Sequence, residues 1–243
     1  MNPFLKNDFL NSSLRSKNYD NMTITGTINS IAILFVVLIL GFFCSWVHYK
    51  IVSTLVIPIL IVTFMSSIII IFKKNISIFL APIYTFCEGL MIGLLSLYFE
   101  KFFNYKGLIL NTVFLTFSIM LCMLTAYKSG LLIATNRFRK AVILSMFAIS
   151  IVYVIDSIIN FFCGSNLQYI HNYSGISIFA SIIIIIIAAF NFILDFDLIE
   201  NTAKMGVPKY MEWYAAFSFM TTFVWLYFEV LRLFLKFRND KLN

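Results

Sequence analysis

Acidic residues interrupt the long apolar stretches of this chain at five positions: Glu88, Asp156, Asp195, Asp197 and Glu229. A carboxylate in apolar surroundings is costly unless it binds a proton, a cation or a partner side chain. Only one basic residue, Arg232, occupies a comparable position, three residues after Glu229, where an i,i+3 ion pair can form. The excess of acids over bases favours chemistry with cations or protons.

A regular stripe of small and polar residues leads to Asp195. Taken at steps of three and four positions, it consists of Ser177, Ser181, Ile184, Ala188, Asn191 and Asp195. Such spacing puts all six residues on one face of a helix. Every other face of the helix is apolar, so the stripe is predicted to face protein or water instead of lipid. Asp195 is therefore the first candidate for a functional group, and Ser181 and Asn191 are predicted to line a pathway.

A second stripe with the same spacing follows Asp195 in the chain. It consists of Ala215, Ser218, Thr222, Trp225, Glu229 and Arg232. Two polar stripes that face each other are what an interior pathway needs, although a tightly packed bundle core gives the same pattern. Thr222 is predicted to line the pathway and Glu229 to act with Asp195.

The other three acids are weaker candidates. Asp156 is assigned to the pathway lining, and Asp197 to the groups that sense pH. Glu88 is assigned to pH sensing too, with an interhelical hydrogen bond as its alternative role. It precedes a GxxxG motif, Gly89 to Gly93, whose small residues let two membrane helices approach closely.

The elements that position these residues are predicted to be membrane-spanning helices. Hydrophobic residues make up 61% of the 243 positions and charged residues only 12%, which is typical of an integral membrane protein. Seven spans are predicted: Thr27–Val47, Ser53–Phe72 (broken by Pro58), Ile78–Phe99, Leu108–Tyr127, Ala141–Cys163, a sixth beginning near Gly175, and a seventh within Met211–Phe237. Each approaches or exceeds the roughly 20 residues that cross a bilayer as a helix. The predicted class is an all-α bundle in residues 25–238, with a polar tail at 1–24 and a short tail at 239–243.

Orientation follows from the distribution of Lys and Arg. The side that holds the N-terminus has 11 of the 18 basic residues and the other side has 6, with Arg232 inside the last span. Basic loops favour the cytoplasm. The N-terminus is predicted to be cytoplasmic and the C-terminus outside, in the inner (cytoplasmic) membrane of a cell. The net charge of +7 is therefore not a nucleic-acid signal.

The usual catalytic and metal-binding motifs are absent from the sequence. The two histidines, His48 and His171, fall in predicted loops, and the four cysteines form no CxxC motif. No GxSxG, P-loop or GxGxxG sequence occurs. An aspartate-pair hydrolase is the one enzyme class left, without the glycine-flanked aspartate expected of it. We predict that the protein is not an enzyme and has no cofactor, apart from calcium as a permeant ion.

Four segments resemble the Bax inhibitor-1 family, the transmembrane Bax inhibitor motif proteins, in its bacterial branch. They are APIYTFCEG from Ala81, NFILDFDLIE from Asn191, GVPKYMEWY from Gly206 and LYFEVLRLF from Leu226. The segment TITGTIN before the first span adds to the likeness, which covers the chain from about Thr23 to Leu235. The resemblance implies seven helices, with one wrapped by the others.

The resemblance also implies a function, a pH-sensitive calcium leak. Two acids on the sixth and seventh helices would share one proton and gate the leak, and they correspond here to Asp195 and Glu229, which would also be the calcium ligands. At the second position the family more often has aspartate, so Glu229 is one methylene longer. Glu212 and Asp197 are the alternative partners of Asp195.

Two other functions stay open at this point. A regulatory membrane protein that binds a membrane protease or a stress-response partner would use the N-terminal tail and the basic loop at Arg137, Arg139 and Lys140. Proton-coupled exchange through the same acids is the other. We expect the partners to be the lipid bilayer and either calcium or protons. We do not expect the protein to bind nucleic acid.

Overall fold

The computed structural model describes residues 21–103, 106–163 and 175–240. Residues 1–20, which form most of the predicted N-terminal tail, lie outside the described residues. The same is true of His171 and of residues 241–243. Apart from one isolated bridge between Asn21 and Pro208, the described residues form helices and the segments that connect them. In chain order the helices are α1 (Ile24–Val47), α2 (Tyr49–Thr54), α3 (Val56–Phe72), a 3-10 turn (Lys74–Ile76), α4 (Ser77–Phe102), α5 (Leu108–Lys128), α6 (Asn136–Cys163), α7 (Gly175–Lys204) and α8 (Met211–Asp240). The predicted sixth and seventh spans are α7 and α8.

Six helices in the described part of the chain are long and apolar enough to cross a membrane: α1, α4, α5, α6, α7 and α8. The all-helical, multi-pass class is therefore confirmed. The predicted second span is divided into α2 and α3, and α3 has 17 residues, or about 26 Å. That length is slightly less than a hydrocarbon core of roughly 30 Å. A total of seven spans stays a prediction.

The division of the second span lies at Leu55 and not at Pro58. Leu55 has φ −94° and ψ 13°, outside the helical region, and separates α2 from α3. Pro58 lies within the first turn of α3, where a backbone N–H has no partner inside its own helix, so the missing donor costs little. The prediction that Pro58 breaks this span was wrong by three residues.

Helix α8 is the most enclosed of the six long helices. In the most apolar 18-residue stretch of α8, 67% of the residues are buried, against 11% in the corresponding stretch of α6. Helix α8 packs against α1, α4, α5 and α7. It is also the least apolar of the six. Polar side chains are tolerated in α8 because protein surrounds it, whereas a lipid-facing helix must be apolar. That one helix is wrapped by all the others stays a prediction.

Glycines bring α1 and α4 into direct backbone contact. A Cβ atom added to Gly89 would lie 2.3 Å from the carbonyl oxygen of Leu38, and one added to Gly93 would lie 2.8 Å from that of Phe42. On the facing helix, a Cβ at Gly41 would lie 2.5 Å from the carbonyl oxygen of Phe86. These positions accept only glycine without a shift of backbone, which confirms the predicted packing role of the GxxxG motif.

The apolar side of α8 faces α1 and α5. The ring of Phe223 lies 4.8 Å from that of Phe35 and 5.0 Å from that of Phe117, both in edge-on contacts. Such aromatic contacts add to the stabilisation from burial of the rings. Because this side of α8 is filled with aromatic residues, its polar stripe is left to face α6 and α7.

The beginning of α1 is attached to the beginning of α8 on one side of the bundle, which we call the near side. The Glu212 carboxylate accepts hydrogen bonds from the backbone N–H of Thr23 at 2.9 Å and from its hydroxyl at 3.1 Å. An anion at the N-terminus of a helix is stabilised by the helix dipole. Gly26 makes room for this carboxylate, because a Cβ there would lie 2.2 Å from Glu212 Oε1.

Candidate functional site

The two predicted polar stripes do face each other in the antiparallel pair α7 and α8. On α7, Ser177, Ser181, Ala188 and Asp195 are buried, while the isoleucines Ile182, Ile183 and Ile186 are exposed on the outer surface. The predicted stripe is wrong at one position, because Ile185 is buried where Ile184 was expected. The lipid-facing and protein-facing sides of α7 are otherwise those that the sequence predicts.

Asp195 joins α7 to α8 through two hydroxyl groups. Its side chain accepts a hydrogen bond from Ser218 at 2.8 Å and another from Thr222 at 2.6 Å. The Thr222 hydroxyl in turn accepts a hydrogen bond from the Asn191 amide at 2.7 Å. Asp195 is only 5% exposed, so a carboxylate here is buried against neutral donors alone.

A cavity of about 670 Å³ lies beside Asp195 on the near side. Its lining includes Asn191, Asp195, Asp197 and Ser218, and on the α6 side Arg139. Arg139 forms an ion pair with Asp197, so this cation contributes to the contact between α6 and α7. The cavity therefore presents two carboxylates, of which one is already paired with a cation.

Glu229 has a different set of partners. Its carboxylate accepts hydrogen bonds from the Tyr153 hydroxyl at 2.7 Å and from the Trp225 indole at 3.2 Å. Arg232 Nη1 lies 3.3 Å from Glu229 Oε2, which confirms the predicted i,i+3 ion pair. Arg232 Nη1 also donates to the Tyr153 hydroxyl at 2.6 Å, so these three side chains form one network.

A second cavity, of about 690 Å³, adjoins Glu229 on the opposite side of the bundle. Its charged lining residues are Glu88, Glu229, Arg232 and Lys236. Most of the other lining side chains are apolar: Leu60, Met91, Leu95, Phe99, Phe103, Phe228, Leu231 and Leu235. We call the two spaces the near-side cavity and the opposite-side cavity.

The predicted contact between Asp195 and Glu229 is not present. Asp195 lies nine residues before the end of α7, about 14 Å along it, whereas Glu229 lies 18 residues into α8, about 27 Å along it. In an antiparallel pair joined by a short connection, Asp195 is therefore level with Ser218 and Thr222 and not with Glu229. The alternative partners are engaged elsewhere, because Glu212 accepts from Thr23 and Asp197 is paired with Arg139.

The residues of α8 that line the two cavities do not overlap along the helix. Ser218 lines the near-side cavity and Trp225 lines the opposite-side cavity, seven residues apart, or about 10 Å. Thr222 lies between them and belongs to neither lining. Thr222, which is hydrogen-bonded to Asn191 and Asp195, therefore lies between the two linings on α8.

The remaining predicted site residues lie at separate places. Glu88 lines the opposite-side cavity, as a residue of α4. Ser181 accepts a hydrogen bond from Lys236 Nζ at 2.7 Å. Asp156 is 7% exposed and belongs to the lining of neither cavity. Arg139, which the alternative function assigns to partner binding, is engaged by Asp197 within the protein.

Sequence reasoning missed Tyr153 and assigned Lys236 to the solvated end of the last span. Lys236 is 4% exposed, and its Nζ donates to the Ser177 carbonyl at 3.2 Å as well as to Ser181. Its position four residues after Arg232 continues the α8 stripe, and this spacing was the available signal. Tyr153 had no comparable signal, because it lies on α6 among apolar residues.

The arrangement offers single acids and no preformed metal site. Among the described residues, no group of three His, Cys, Asp or Glu side chains is placed to hold a metal ion. A cation at Asp195 would have one carboxylate and the hydroxyls of Ser218 and Thr222 within reach, and Ca²⁺ takes oxygen ligands.

Comparison with known proteins identifies the family and nothing narrower. The family model described as Bax inhibitor 1 like matches residues 2–239, nearly the whole chain. Neither a curated protein nor a solved structure matches it. The resemblance drawn from four short segments is therefore confirmed over the full length, and this multi-pass membrane protein belongs to the Bax inhibitor 1-like family.

Proposed function

We propose that the protein is a pH-sensitive cation leak, with calcium as the permeant ion and Asp195 as the group that responds to pH. One observation carries the proposal. The Asp195 carboxylate is buried at the edge of the near-side cavity and is held only by neutral donors. An ionised carboxylate in such a place attracts a proton or a cation, because no side chain in the described part of the protein balances its charge within bonding distance.

The proposed path leads from the near-side cavity past Thr222 to the opposite-side cavity. A cation that reaches Asp195 replaces the hydroxyl donors of Ser218 and Thr222 as the partner of the carboxylate. These hydroxyls are then free to turn their oxygen lone pairs towards the cation. The path opens because the contacts that hold α7 against α8 at Asp195 are lost.

The expected pH dependence follows from the charge of Asp195. A protonated carboxyl group is neutral, so it neither attracts a cation nor offers a charged ligand. Flux should therefore fall in acid and rise towards alkaline pH. This direction is the one that a proton-sharing acidic pair would also give, but here a single acid is sufficient.

Calcium uptake by vesicles that contain the purified protein tests the proposal. Flux through the unaltered protein should exceed that of empty vesicles and should rise with pH. Asp195→Asn, which keeps the shape and removes the charge, should leave flux independent of pH. Glu212→Gln is the matched control, because Glu212 is equally buried on α8 but lines neither cavity, and its pH profile should be unchanged.

Three results would refute the proposal. Flux no higher than in empty vesicles would exclude a leak and favour the regulatory alternative, a protein that acts through a membrane protease or stress-response partner. A pH profile of Asp195→Asn that matches the unaltered protein would leave the leak but remove Asp195 from its control. A requirement for a proton gradient would identify exchange instead of a leak.

A further inference from the structure

Lys236 lies near the end of a membrane helix and yet turns inward. It is four residues from the end of α8, or about 6 Å, a depth from which a lysine ordinarily extends to the aqueous surface. Its Nζ instead binds the Ser177 carbonyl and the Ser181 hydroxyl, both neutral oxygens. The ammonium group is therefore buried without an acid among its hydrogen-bond partners and has a third N–H left to donate.

Arg232 presents a second set of donors to the same cavity. All its hydrogen bonds within the described residues are made by Nη1, so Nε and Nη2 have no partner there. The guanidinium carbon lies over the Tyr153 ring, 5.0 Å from its centroid, and Nη1 is hydrogen-bonded to the Tyr153 hydroxyl and to Glu229. The edge formed by Nε and Nη2 can therefore bind two oxygens of an anion at once.

The charges at this end of the opposite-side cavity sum to an excess of one positive charge. Glu229 balances Arg232, and Lys236 remains. Glu88 lies far from them: the hydrogen bond between Ser96 and Tyr227 sets α4 against α8, and in that register Glu88 is 17 residues deeper than Lys236, or about 25 Å. The cations are thus at the outer end of the cavity and apolar walls continue inward.

We propose that the opposite-side cavity binds one membrane lipid with an anionic, phosphate-bearing headgroup. The phosphate would lie between Lys236 and the free edge of Arg232, at the depth where lipid headgroups meet the hydrocarbon core. An acyl chain would follow the apolar lining inward past Leu95, Met91 and Leu60. Leu60 is 48% exposed on the outer surface, so the cavity wall adjoins the lipid-facing side of the protein.

The apolar lining is the reason for choosing a lipid over a soluble phosphate. The eight apolar side chains named above line the cavity beside the charged ones, and a free anion would gain nothing from them. An amphiphile gains from both parts of the cavity. The volume of about 690 Å³ lies within the roughly 300–1,000 Å³ of pockets that enclose a ligand.

Fluorescence of Trp225, which lines the cavity, tests the inference directly. In a Trp46→Phe, Trp213→Phe protein, Trp225 is the only tryptophan left of the three. The protein is placed in phosphatidylcholine vesicles that contain increasing fractions of tail-brominated phosphatidylglycerol, whose bromine quenches tryptophan on contact. We expect half-maximal quenching at a roughly tenfold lower fraction than with brominated phosphatidylcholine, as for about 1.4 kcal/mol of preference.

Substitutions on the same background identify the headgroup contacts. Lys236→Met should abolish the preference for phosphatidylglycerol, whereas Lys50→Met, which removes an exposed lysine on the same side of the bundle, should not change it. Lys236→Arg should keep the preference, and Arg232→Lys should weaken it because the two-pronged edge is lost. If the circular dichroism of Lys236→Met shows that this variant has lost its helices, the result for Lys236→Arg is used instead to test the role of the charge.

Four results would overturn the inference. Equal quenching by the two brominated lipids would exclude headgroup recognition. If Lys236→Met still prefers phosphatidylglycerol, the headgroup binds elsewhere. If Lys236→Arg loses this preference, the positive charge of the side chain is not what binds the headgroup. Complete competition by millimolar glycerol phosphate would identify a site for soluble anions. The test is independent of the proposed leak, because it measures no flux.

Discussion

Asp195 and Glu229 are buried to a similar extent but are held in opposite ways. Asp195 is 5% exposed and accepts hydrogen bonds from two hydroxyls, whereas Glu229 is 1% exposed and is joined to a guanidinium, a phenol and an indole. The negative charge of Glu229 is therefore balanced inside the protein, and that of Asp195 is not. Burial alone does not distinguish the two acids, and the difference lies in the partners.

This difference assigns different tasks to the two cavities. The near-side cavity contains Asp195, the acid to which we assign the proposed pH response. The opposite-side cavity contains an ion-paired network that connects α6 to α8 through Tyr153, together with surplus positive charge at its outer end. We therefore expect substitutions at Glu229 and its partners to act mainly on stability, and substitutions at Asp195 to act mainly on flux.

Removal of the cation beside Glu229 should have the largest effect on stability. Arg232→Met leaves a carboxylate that is 1% exposed with no cation within bonding distance, and breaking a buried ion pair costs about 3–5 kcal/mol. Since Arg232 is itself about one third exposed, the lower end of that range is expected. Unfolding in mixed micelles measures the change, and Arg137→Met, at an exposed arginine, is the control. A loss no larger than that of the control would mean that Arg232 does not balance Glu229.

Loss of the Thr222 hydroxyl should come next. Thr222→Val keeps the size of the side chain but removes the donor to Asp195 and the acceptor for Asn191, at about 1–3 kcal/mol. Thr221→Val is a close control, because the Thr221 hydroxyl donates to the Phe217 carbonyl of its own helix and, apart from a hydrogen bond with Tyr84, takes no part in the contacts of Asp195 or Asn191. Equal unfolding free energies of the two variants would contradict the importance of the Asn191–Thr222–Asp195 chain.

The Tyr153 hydroxyl should contribute about 1 kcal/mol. Tyr153→Phe keeps the ring over Arg232 and removes the hydroxyl that bridges Arg232 and Glu229. The same substitution at Tyr98, which is 48% exposed, removes no such bridge and should be neutral. If the Tyr153 variant is as stable as the Tyr98 variant, α6 is not held by this network.

Asp195→Asn should have the smallest effect on stability, within about 1 kcal/mol in either direction. One strong hydrogen bond is weakened, but an unbalanced buried charge disappears, and these contributions oppose each other. The same unfolding experiment measures it beside Arg232→Met. A loss of stability as large as that of Arg232→Met would erase the contrast between the two acids.

The helical class and the polar faces could be predicted because both depend on local spacing. A period of 3.6 residues and the cost of polar groups in lipid are sufficient to place Ser181, Asn191 and Asp195 on the protein side of α7. The GxxxG contact and the pairing of Glu229 with Arg232 are likewise short-range patterns. Each of these predictions is confirmed by contacts in the structure.

The partners of the acids could not be predicted, because they depend on how far one helix is shifted along another. The two polar stripes and the family resemblance led to the prediction that Asp195 contacts Glu229. In the structure, the position of α7 along α8 separates the two acids by about two helical turns. Tyr153 reaches Glu229 from α6, 76 positions away in the chain, and no periodic pattern indicates a contact of that kind. Lys236 was misplaced because its expected behaviour at a helix end is to reach water.

The pH profile of calcium flux in Asp195→Asn, beside that in Glu229→Gln, tests the central claim most directly. Both proteins would be measured in the same vesicles from acid to alkaline pH, together with the unaltered protein. We predict that flux through Asp195→Asn does not change with pH, while Glu229→Gln keeps the pH dependence and midpoint of the unaltered protein even if its total flux is lower. Profiles that flatten in both variants would show that the two acids share a proton, and would contradict the assignment of the response to Asp195 alone.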